Sequence, residues 1–265
     1  LEKSSIFYHQ FKTPNLAKYL DLVALGTIAD LVTLDGNNRR MVFHGLKLIR
    51  SSYGNLGIKV LLKKAKISLK NIKSSDLSFS VAPRLNAAGR LEDMSLGIEC
   101  LLSDEFSRVN QISDELTALN ESRKSIEKKM CNDAFESLQG ILDETEVNRE
   151  NGLTCFSIYK ADWHQGVIGI VAARIAREHR KPTFIFADDK NSFLKGSARS
   201  VDGVHLKNVL QKVSITHPNL ITQFGGHAMA AGLVLEKKKF LEFKEVLNRT
   251  MKDFISPNNS QFTIQ

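Results

Sequence analysis

The sequence predicts an α/β fold in which a helical first part, a long helix and a second part with a mixed sheet follow one another. Three observations lead to this prediction. Apolar residues recur at helical spacing over residues 15–50 and, more regularly, over 104–138. Beyond residue 153 the pattern changes to short strand-like runs that alternate with helical ones. At 265 residues, 42% of them hydrophobic, the chain can form one large or two modest domains.

The composition favours an intracellular protein with an anionic partner. Lys and Arg outnumber Asp and Glu by 37 to 29, which gives a formal net charge of +8. The cysteines Cys100, Cys131 and Cys155 are scattered and lack metal-site spacing, so we expect them to be reduced. No apolar run approaches the roughly 20 residues of a membrane span. We expect a cytoplasmic protein without a membrane anchor, and the start without Met or signal peptide predicts a piece of a longer chain.

The first part is expected to be helical. Apolar residues fall on one helical face before Asp30, the polar cluster 35–38 is predicted to be a turn, and a helical pattern resumes over 41–49. The stretch over residues 59–80 is basic. Such a run is either a solvated face or a surface that follows the backbone of a nucleic acid.

The clearest single element is a helix over residues 104–138. Apolar residues recur there at spacings of three, four and seven, Ser103 offers an N-cap, and Gly140 is the predicted C-terminal stop. Its length of roughly 50 Å exceeds what a compact domain needs. We therefore predict a connector between two domains, with a plain core helix as the alternative.

The second part is predicted to begin with a βαβ unit. Strands over 153–159 and 182–187 flank a helix over 167–177, an order that favours a parallel strand pair. The remaining elements are a strand over 193–200, a helix over 204–213, a loop over 224–232, a strand over 232–235 and a helix over 237–254. The predicted organisation is a first domain over 1–103, a connector over 104–140, a second domain over 141–254 and a linker over 255–265.

One run in the first part has the chemistry of a phosphate clamp. Arg-Leu-Asn-Ala-Ala-Gly-Arg places Arg84, Asn86 and Arg90 around a segment too small to shield the backbone. Guanidinium groups bind phosphate oxygens in a bidentate manner, and small neighbours let a polyanion approach. We interpret the three side chains as lying near a reacting phosphate. The alternative is a surface loop whose arginines pair with Glu92 or Asp93.

Two segments of the second part favour an anion. His164, Gly166 and Gly169 lie where the first predicted strand gives way to a helix, whose N-terminal amides attract negative charge. Ser197 and Arg199 offer a hydroxyl and a guanidinium at a strand end, which suits a terminal phosphate. Tight packing of strand on helix is the alternative explanation for the glycines.

A third segment adds a glycine-rich loop with one donor, formed by Gly225, Gly226 and His227. Alone it is a weak signal, since such loops often only turn the chain. With the two preceding segments it predicts a basic, glycine-lined concavity for a single strand, in which Trp163 or Phe224 stacks on bases. Both aromatic residues are equally compatible with the core.

Five motifs in a fixed order carry a resemblance to a known family. They are Ala-Leu-Gly-Thr-Ile-Ala-Asp ending at Asp30, the Arg84–Arg90 run, His-Gln-Gly-Val-Ile-Gly from His164, Gly-Ser-Ala-Arg-Ser over 196–200 and Phe-Gly-Gly-His-Ala-Met-Ala-Ala-Gly from Phe224. Spread over about residues 15–250, they resemble the RecJ family, bacterial single-strand-specific 5′→3′ DNA exonucleases of the DHH/DHHA1 phosphoesterase superfamily.

The resemblance implies an architecture and partners. Residues 1–103 would be the C-terminal portion of a DHH catalytic domain, 104–140 the connector helix and 141–254 a DHHA1 substrate-binding domain. The chemistry would use two divalent metals, Mn²⁺ or Mg²⁺, with Asp30 as one ligand. The substrate would be single-stranded DNA with a 5′ end, and single-strand-binding protein and a helicase are further expected partners.

The resemblance also implies roles for the other motif residues. Some would line the catalytic cleft near the scissile phosphate; they are Arg84, Asn86 and Arg90. Others would bind substrate, and of these Ser197 and Arg199 would hold the 5′-terminal phosphate. The remaining substrate-binding residues would contact the backbone of the strand; they are His164, Gly166, Gly225, Gly226 and His227.

The chain departs from the family in one respect. The Asp-x-Asp-x-Asp-Gly and Asp-His-His motifs, which carry most metal ligands in the family, are absent from this sequence. We therefore expect that the chain alone does not hydrolyse DNA. Two alternatives stay open: a relative in the same superfamily that degrades short oligonucleotides or cyclic dinucleotides, and a non-catalytic DNA-binding scaffold.

Overall fold

The structure, a computed structural model, describes residues 15–147 and 153–255. Contacts divide the chain into two compact units, with the division between Ser122 and Arg123. The predicted linker over 255–265 lies, except for its first residue, outside the described residues. No helix within the described ranges combines the length and the apolar character that crossing a bilayer requires.

The first unit is built from helices over its described length. Its second helix shows why the predicted turn over residues 35–38 is wrong: the Asp35 carboxylate accepts hydrogen bonds from the N–H groups of Asn37 and Asn38, so this cluster is an N-cap and a first helical turn. The helices are α1 (Leu20–Ala29), α2 (Gly36–Arg50), α3 (Leu56–Lys64), α4 (Ser74–Asp76), α5 (Ala82–Leu91) and α6 (Ser95–Leu102), with a π-helical turn, Leu77–Val81, before α5.

A buried carboxylate ties these helices together. Asp21 of α1 is 2% exposed, and its Oδ2 accepts a hydrogen bond of 2.6 Å from the N–H of Asn55, the N-cap of α3. The Asn55 amide in turn donates to the carbonyl of Leu101 at 2.7 Å. Because a buried charge is costly unless it is hydrogen-bonded, these contacts fix α1, α3 and α6 relative to one another.

The long helix α7 spans Phe106–Val147 and passes through the division between the units. It begins two residues later than predicted and continues beyond Gly140, so the predicted stop there is wrong. A single glycine costs a helix only about 1 kcal/mol relative to alanine, which a helix of 42 residues tolerates. Its buried residues up to Leu116 belong to the first core, and those from Met130 to Leu138 lie in the second unit.

The second unit contains a mixed sheet, as predicted. The elements are β1 (Phe156–Tyr159), α8 (Ile168–His179), β2 (Thr183–Asp188), β3 (Phe193–Arg199), α9 (Leu206–Thr216), β4 (Gln223–Gly226), β5 (Ala230–Glu236) and α10 (Phe240–Ile255). The strand order in the sheet is β1-β2-β3-β5-β4; β1 and β2 are parallel, and all other neighbours are antiparallel. Helix α8 packs against β2 and β3.

The predicted loop over residues 224–232 is a hairpin instead. Residues 223–226 form β4 and pair with β5, so the glycine-rich segment is strand up to a tight turn. Gly226 has a φ of +140°, and a side chain there would lie 2.6 Å from the Cα of Ala231. Only glycine adopts this conformation readily, and its presence allows the strand to turn back at once.

One face of the sheet carries the larger core. Phe184 and Phe186 of β2 are fully buried and meet Phe243 of α10 edge to face, with ring centroids 6.2 and 5.7 Å apart. Residues of α9 and α10 complete this cluster. Since strand side chains alternate between faces, the opposite face holds Ser197 and Arg199 of β3, where α8 packs.

We expect Gly196→Ala to destabilise the second unit by about 1–3 kcal/mol, because overpacking a filled core forces its neighbours to move. A methyl group at Gly196 would lie 2.8 Å from both Phe186 Cδ1 and Leu233 Cδ2. Urea unfolding followed by fluorescence of Trp163, the one tryptophan of the chain, measures the change. Gly232→Ala is the control, because its methyl group would meet nothing closer than 3.9 Å. Equal stability of both variants would contradict the packing described.

Candidate nucleic-acid interface

The strongest candidate site lies where the start of α8 rests on β3. Ser197 pairs with Ile185 of β2 and Gly232 of β5, and Arg199 pairs with Thr183 and Ala230. Both side chains are half-buried on the α8 face of the sheet. The approach is close because Gly169, in the first turn of α8, has no side chain.

The geometry at Gly169 brings three kinds of donor together. A methyl group there would lie 3.0 Å from Ser197 Oγ and 3.1 Å from Arg199 Nη2. Arg199 Nη1 donates to Ser197 Oγ at 3.1 Å and to the carbonyl of Ala198 at 2.8 Å. The first N–H groups of a helix have no partner within the helix, and no side chain caps α8. A guanidinium and a hydroxyl thus lie beside the uncapped first turn of a helix, a combination that favours a phosphate.

The turn before α8 is held by two sets of hydrogen bonds. His164 Nδ1 accepts from the N–H of Gly166 at 3.1 Å, which assigns the proton of the neutral imidazole to Nε2 and leaves that nitrogen as a donor. Gln165 Nε2 donates to the Asp188 carbonyl at 2.7 Å and to Asp189 Oδ1 at 3.1 Å. The turn that carries His164 is therefore attached to the end of β2.

The end of β2 is itself fixed by a charged network. The Tyr159 hydroxyl donates to Asp188 Oδ1 at 2.6 Å, and Lys237 Nζ lies 3.1 Å from the same oxygen. The hydrogen bond from Tyr159, and after it the contact with Lys237, hold the pKa of the Asp188 carboxyl below its ordinary value. Sequence analysis missed this network and the role of Gln165. Gln165 lies inside a recognised motif, so its role could have been predicted from the sequence. Tyr159 and Lys237 are 78 positions apart, and no sequence pattern links them.

The glycine-rich hairpin extends the same surface across the sheet. Ser197, Gly232 and Gly225 lie opposite one another on β3, β5 and β4, so this row carries no side chain beyond Ser197. Gly225 has open space above it. His227 is exposed at the turn, where its N–H donates to the Ala230 carbonyl at 2.8 Å. A backbone can approach a sheet closely over such a row.

The two aromatic candidates belong to the fold. Trp163 is 4% exposed, and its indole N–H lies 3.4 Å from Asp133 Oδ2 of α7. Phe224 packs against the larger core of the second unit. Trp163 is therefore a core residue, and Phe224 is partly buried against the core.

The structure separates the three candidates of the Arg84–Arg90 run. The run forms helix α5, where Asn86 and Arg90 are one turn apart and exposed. Arg84 points elsewhere: Nη1 donates to the Ser80 carbonyl at 2.6 Å and Nε to Thr117 Oγ1 of α7 at 3.3 Å. Arg84 thus attaches α5 to its neighbours inside the first unit, while Asn86 and Arg90 share the outer face.

The described residues do not make a metal site. Asp30 is the exposed C-cap of α1. Within residues 15–147 and 153–255, no group of three His, Cys, Asp or Glu side chains is placed to hold a metal ion. A lone exposed carboxylate does not retain a divalent cation, which requires several oxygen or nitrogen ligands.

Comparison with known proteins identifies this arrangement. The family model of the DHHA1 domain matches residues 151–253. The chain is 44% identical to the single-stranded-DNA-specific exonuclease RecJ of Haemophilus influenzae over 95% of its length, and 42% identical to that of Escherichia coli over 92%. Over most of its length the chain is therefore similar to RecJ exonucleases. It spans 43% and 42% of the length of these two curated relatives.

Solved RecJ structures have the same fold. RecJ of Thermus thermophilus in complex with Mg²⁺ superposes with a TM-score of 0.75 at 29% identity, covering 92% of this chain and 36% of that one. An exonuclease RecJ bound to manganese gives a TM-score of 0.75 at 27% identity, covering 94% and 58%. Both comparisons confirm the predicted α/β architecture with its long helix and mixed sheet.

In the DHHA1 domain, we expect Gly169→Ala to weaken binding of a 5′-phosphorylated oligonucleotide by about tenfold, the equivalent of one charge-assisted hydrogen bond. The added methyl group would displace Ser197 Oγ and Arg199 Nη2 from their present positions. Fluorescence anisotropy measures the affinity. Gly140→Ala is the control, because Gly140 is an exposed position of α7 where a methyl group would meet nothing within 4 Å. Unchanged affinity in Gly169→Ala would contradict the assignment of this cluster to phosphate binding.

A second prediction concerns the network at the end of β2. We expect Tyr159→Phe to raise the pKa of Asp188 towards its ordinary value of 3.8, because the hydroxyl that stabilises the carboxylate is removed. A carboxyl with a lowered pKa adds stability above its ordinary pKa and loses it as the pH falls through the lowered value. Carboxyl ¹³C NMR titration reports the pKa directly. Tyr53→Phe, at an exposed position, serves as the control, and an identical Asp188 titration in both variants would refute the network.

Proposed function

We propose that this chain serves a single-stranded-DNA-specific 5′→3′ exonuclease of DNA repair and recombination, and that its DHHA1 domain binds the 5′-terminal phosphate. One observation carries the proposal: Gly169, in the first turn of α8, lies directly against Ser197 and Arg199. The RecJ proteins it resembles are named as single-stranded-DNA-specific exonucleases, which supports the same substrate class.

The binding chemistry accounts for polarity. A terminal phosphate carries up to two negative charges and three free oxygens, whereas an internal phosphodiester carries one charge and two. Arg199 would donate two bonds in a fork, the Ser197 hydroxyl a third, and an α8 amide a fourth. His164, through Nε2, would contact the adjoining backbone, and the side-chain-free row at Gly225 would let that backbone lie against the sheet.

The first unit would contribute to the catalytic cleft. We propose that Asn86 and Arg90 face the scissile phosphate and that Arg84 positions α5 through its bonds to Ser80 and Thr117. Asp30 would supply one ligand to a pair of Mn²⁺ or Mg²⁺ ions, which in phosphodiester hydrolysis stabilise the attacking and leaving oxygens. Its companions are not found among the described residues, so we derive no catalytic step from this chain.

Further partners follow from the same proposal. An exonuclease that needs a single strand depends on activities that open duplexes and protect the product, so we propose a helicase and single-strand-binding protein as partners. We propose that they act in the cytoplasm, where bacterial DNA is found.

The decisive test of the 5′-phosphate site compares 3′-labelled oligonucleotides that carry a 5′-phosphate or a 5′-hydroxyl. We expect the chain to prefer the phosphorylated strand by roughly tenfold or more, since hydrogen bonds to charged groups contribute about 1.5–3 kcal/mol. Arg199→Gln should abolish the preference, while Arg249→Gln, an exposed change on α10, should keep it. If wild type binds both strands equally, the site does not recognise the terminal phosphate.

Hydrolysis gives a separate prediction. We expect the purified 265-residue chain to bind single-stranded DNA but release no nucleotides with Mn²⁺ or Mg²⁺, because the described residues lack a metal-ligand cluster. Release of mononucleotides from a 3′-labelled strand is the measurement. Metal-dependent turnover that Asp30→Asn abolishes would show that the chain holds a complete metal site.

A further inference from the structure

A second basic cavity continues along α8 from Arg199. Its volume is about 660 Å³, and one wall consists of Ala173, Ala176 and Arg177 of α8 together with Arg180, which follows the helix. The other wall consists of residues 199–202, from the last residue of β3 onwards, together with Met229. Arg199 therefore belongs both to the candidate 5′-phosphate site and to this cavity.

The cavity carries an excess of positive charge. Arg177, Arg180 and Arg199 line it, and Asp202 is the one acidic residue in its wall, so three positive charges face one negative charge. In the described part of the chain, neither Arg177 nor Arg180 lies within ion-pairing or hydrogen-bonding distance of another side chain. Small residues, Ala173 and Ala176, leave the guanidinium groups accessible along the cavity floor.

An ordinary structural role does not account for this arrangement. Basic residues in the last turn of a helix complement the helix dipole, which would explain Arg177 and Arg180 on an open surface. Here, however, they face a cavity shared with a third guanidinium, and like charges in one cavity repel. An anionic ligand beside Arg177 and Arg180 removes that repulsion.

We propose that this cavity is a second phosphate subsite, which takes the anionic group next to the phosphate held at Arg199. The inference rests on the proposed function, because it assumes a phosphate at Arg199. One phosphate there leaves Arg177 and Arg180 uncompensated, and the volume of the cavity accommodates more than a single phosphate. Two neighbouring phosphates occur either along a nucleic-acid strand or in a 5′-polyphosphate end.

The test measures binding of 3′-labelled oligo(dT) by the 265-residue chain at several salt concentrations. Four ligands are compared: 5′-hydroxyl, 5′-phosphate, 5′-triphosphate, and 5′-phosphate with a neutral methylphosphonate as the first internucleotide linkage. The variant is R177Q/R180Q. The control is K207Q/R249Q, which removes the same charge from exposed positions on α9 and α10, the helices of the opposite sheet face.

We expect R177Q/R180Q to weaken binding of the 5′-phosphorylated strand by about tenfold and to reduce the salt slope by about one. If the neutral linkage abolishes this difference from wild type, the second phosphate belongs to the strand. If the loss appears with the 5′-triphosphate alone, it belongs to a polyphosphate end. A loss no greater than that of K207Q/R249Q with every ligand overturns the subsite.

The design separates this inference from the proposed function. R177Q/R180Q should retain the preference for a 5′-phosphate over a 5′-hydroxyl, which depends on Arg199 and Ser197. If Arg199→Gln leaves that preference intact, the proposed 5′-phosphate site is wrong. The second subsite is tested separately, by the affinity that R177Q/R180Q loses relative to K207Q/R249Q.

Discussion

The close packing of α8 against β3 is the contact on which the arrangement of the second unit depends. It is possible because residue 169 is glycine. The methyl group of an alanine at this position would lie 3.0 Å from Ser197 Oγ. At this separation a strand hydroxyl and a strand guanidinium lie beside the first turn of the helix. The same contact places the rest of α8 beside residues 199–202 and so creates the cavity that Arg177 and Arg180 line.

One face of the sheet packs into the core, and the other carries the side chains of the candidate binding site. Along β3, Leu194, Gly196 and Ala198 are buried, and Leu194 and Ala198 belong to the phenylalanine-rich core, whereas Ser197 and Arg199 point to the α8 face. Strand alternation alone gives this result. A site built on a strand whose other face is fixed by core packing holds its donors in place before a ligand arrives, which reduces the cost of ordering them on binding.

The hydrophobic patterns predicted the elements of the second unit well, because the βαβ order and the strand periods follow from local sequence. Errors arose where one polar or glycine residue was taken as a break. Asp35 caps a helix rather than forming a turn, Gly140 is carried through α7, and the glycines near 225 belong to a strand. In each case, hydrogen bonds to neighbours or the length of the element outweighed the preference of a single residue.

The candidate site was only partly accessible to sequence reasoning. Motifs identified His164, Ser197 and Arg199, and the structure gathers the last two beside α8. They did not distinguish Arg84, which bonds within the first unit, from Asn86 and Arg90 on the outer face of α5, because residue type does not reveal which way a helical side chain points. Arg177 and Arg180 lie outside the motifs that drew attention, and only the folded arrangement joins them to Arg199.

The central claim is that the α8–β3 junction recognises a terminal phosphate. A crystal structure of the chain with a 5′-phosphorylated trinucleotide tests it most directly. Our account predicts the terminal phosphate within hydrogen-bonding distance of the Arg199 guanidinium, Ser197 Oγ and an amide of the first turn of α8. A well-ordered strand whose terminal phosphate lies away from this junction, with Arg199 and Ser197 untouched, would contradict it.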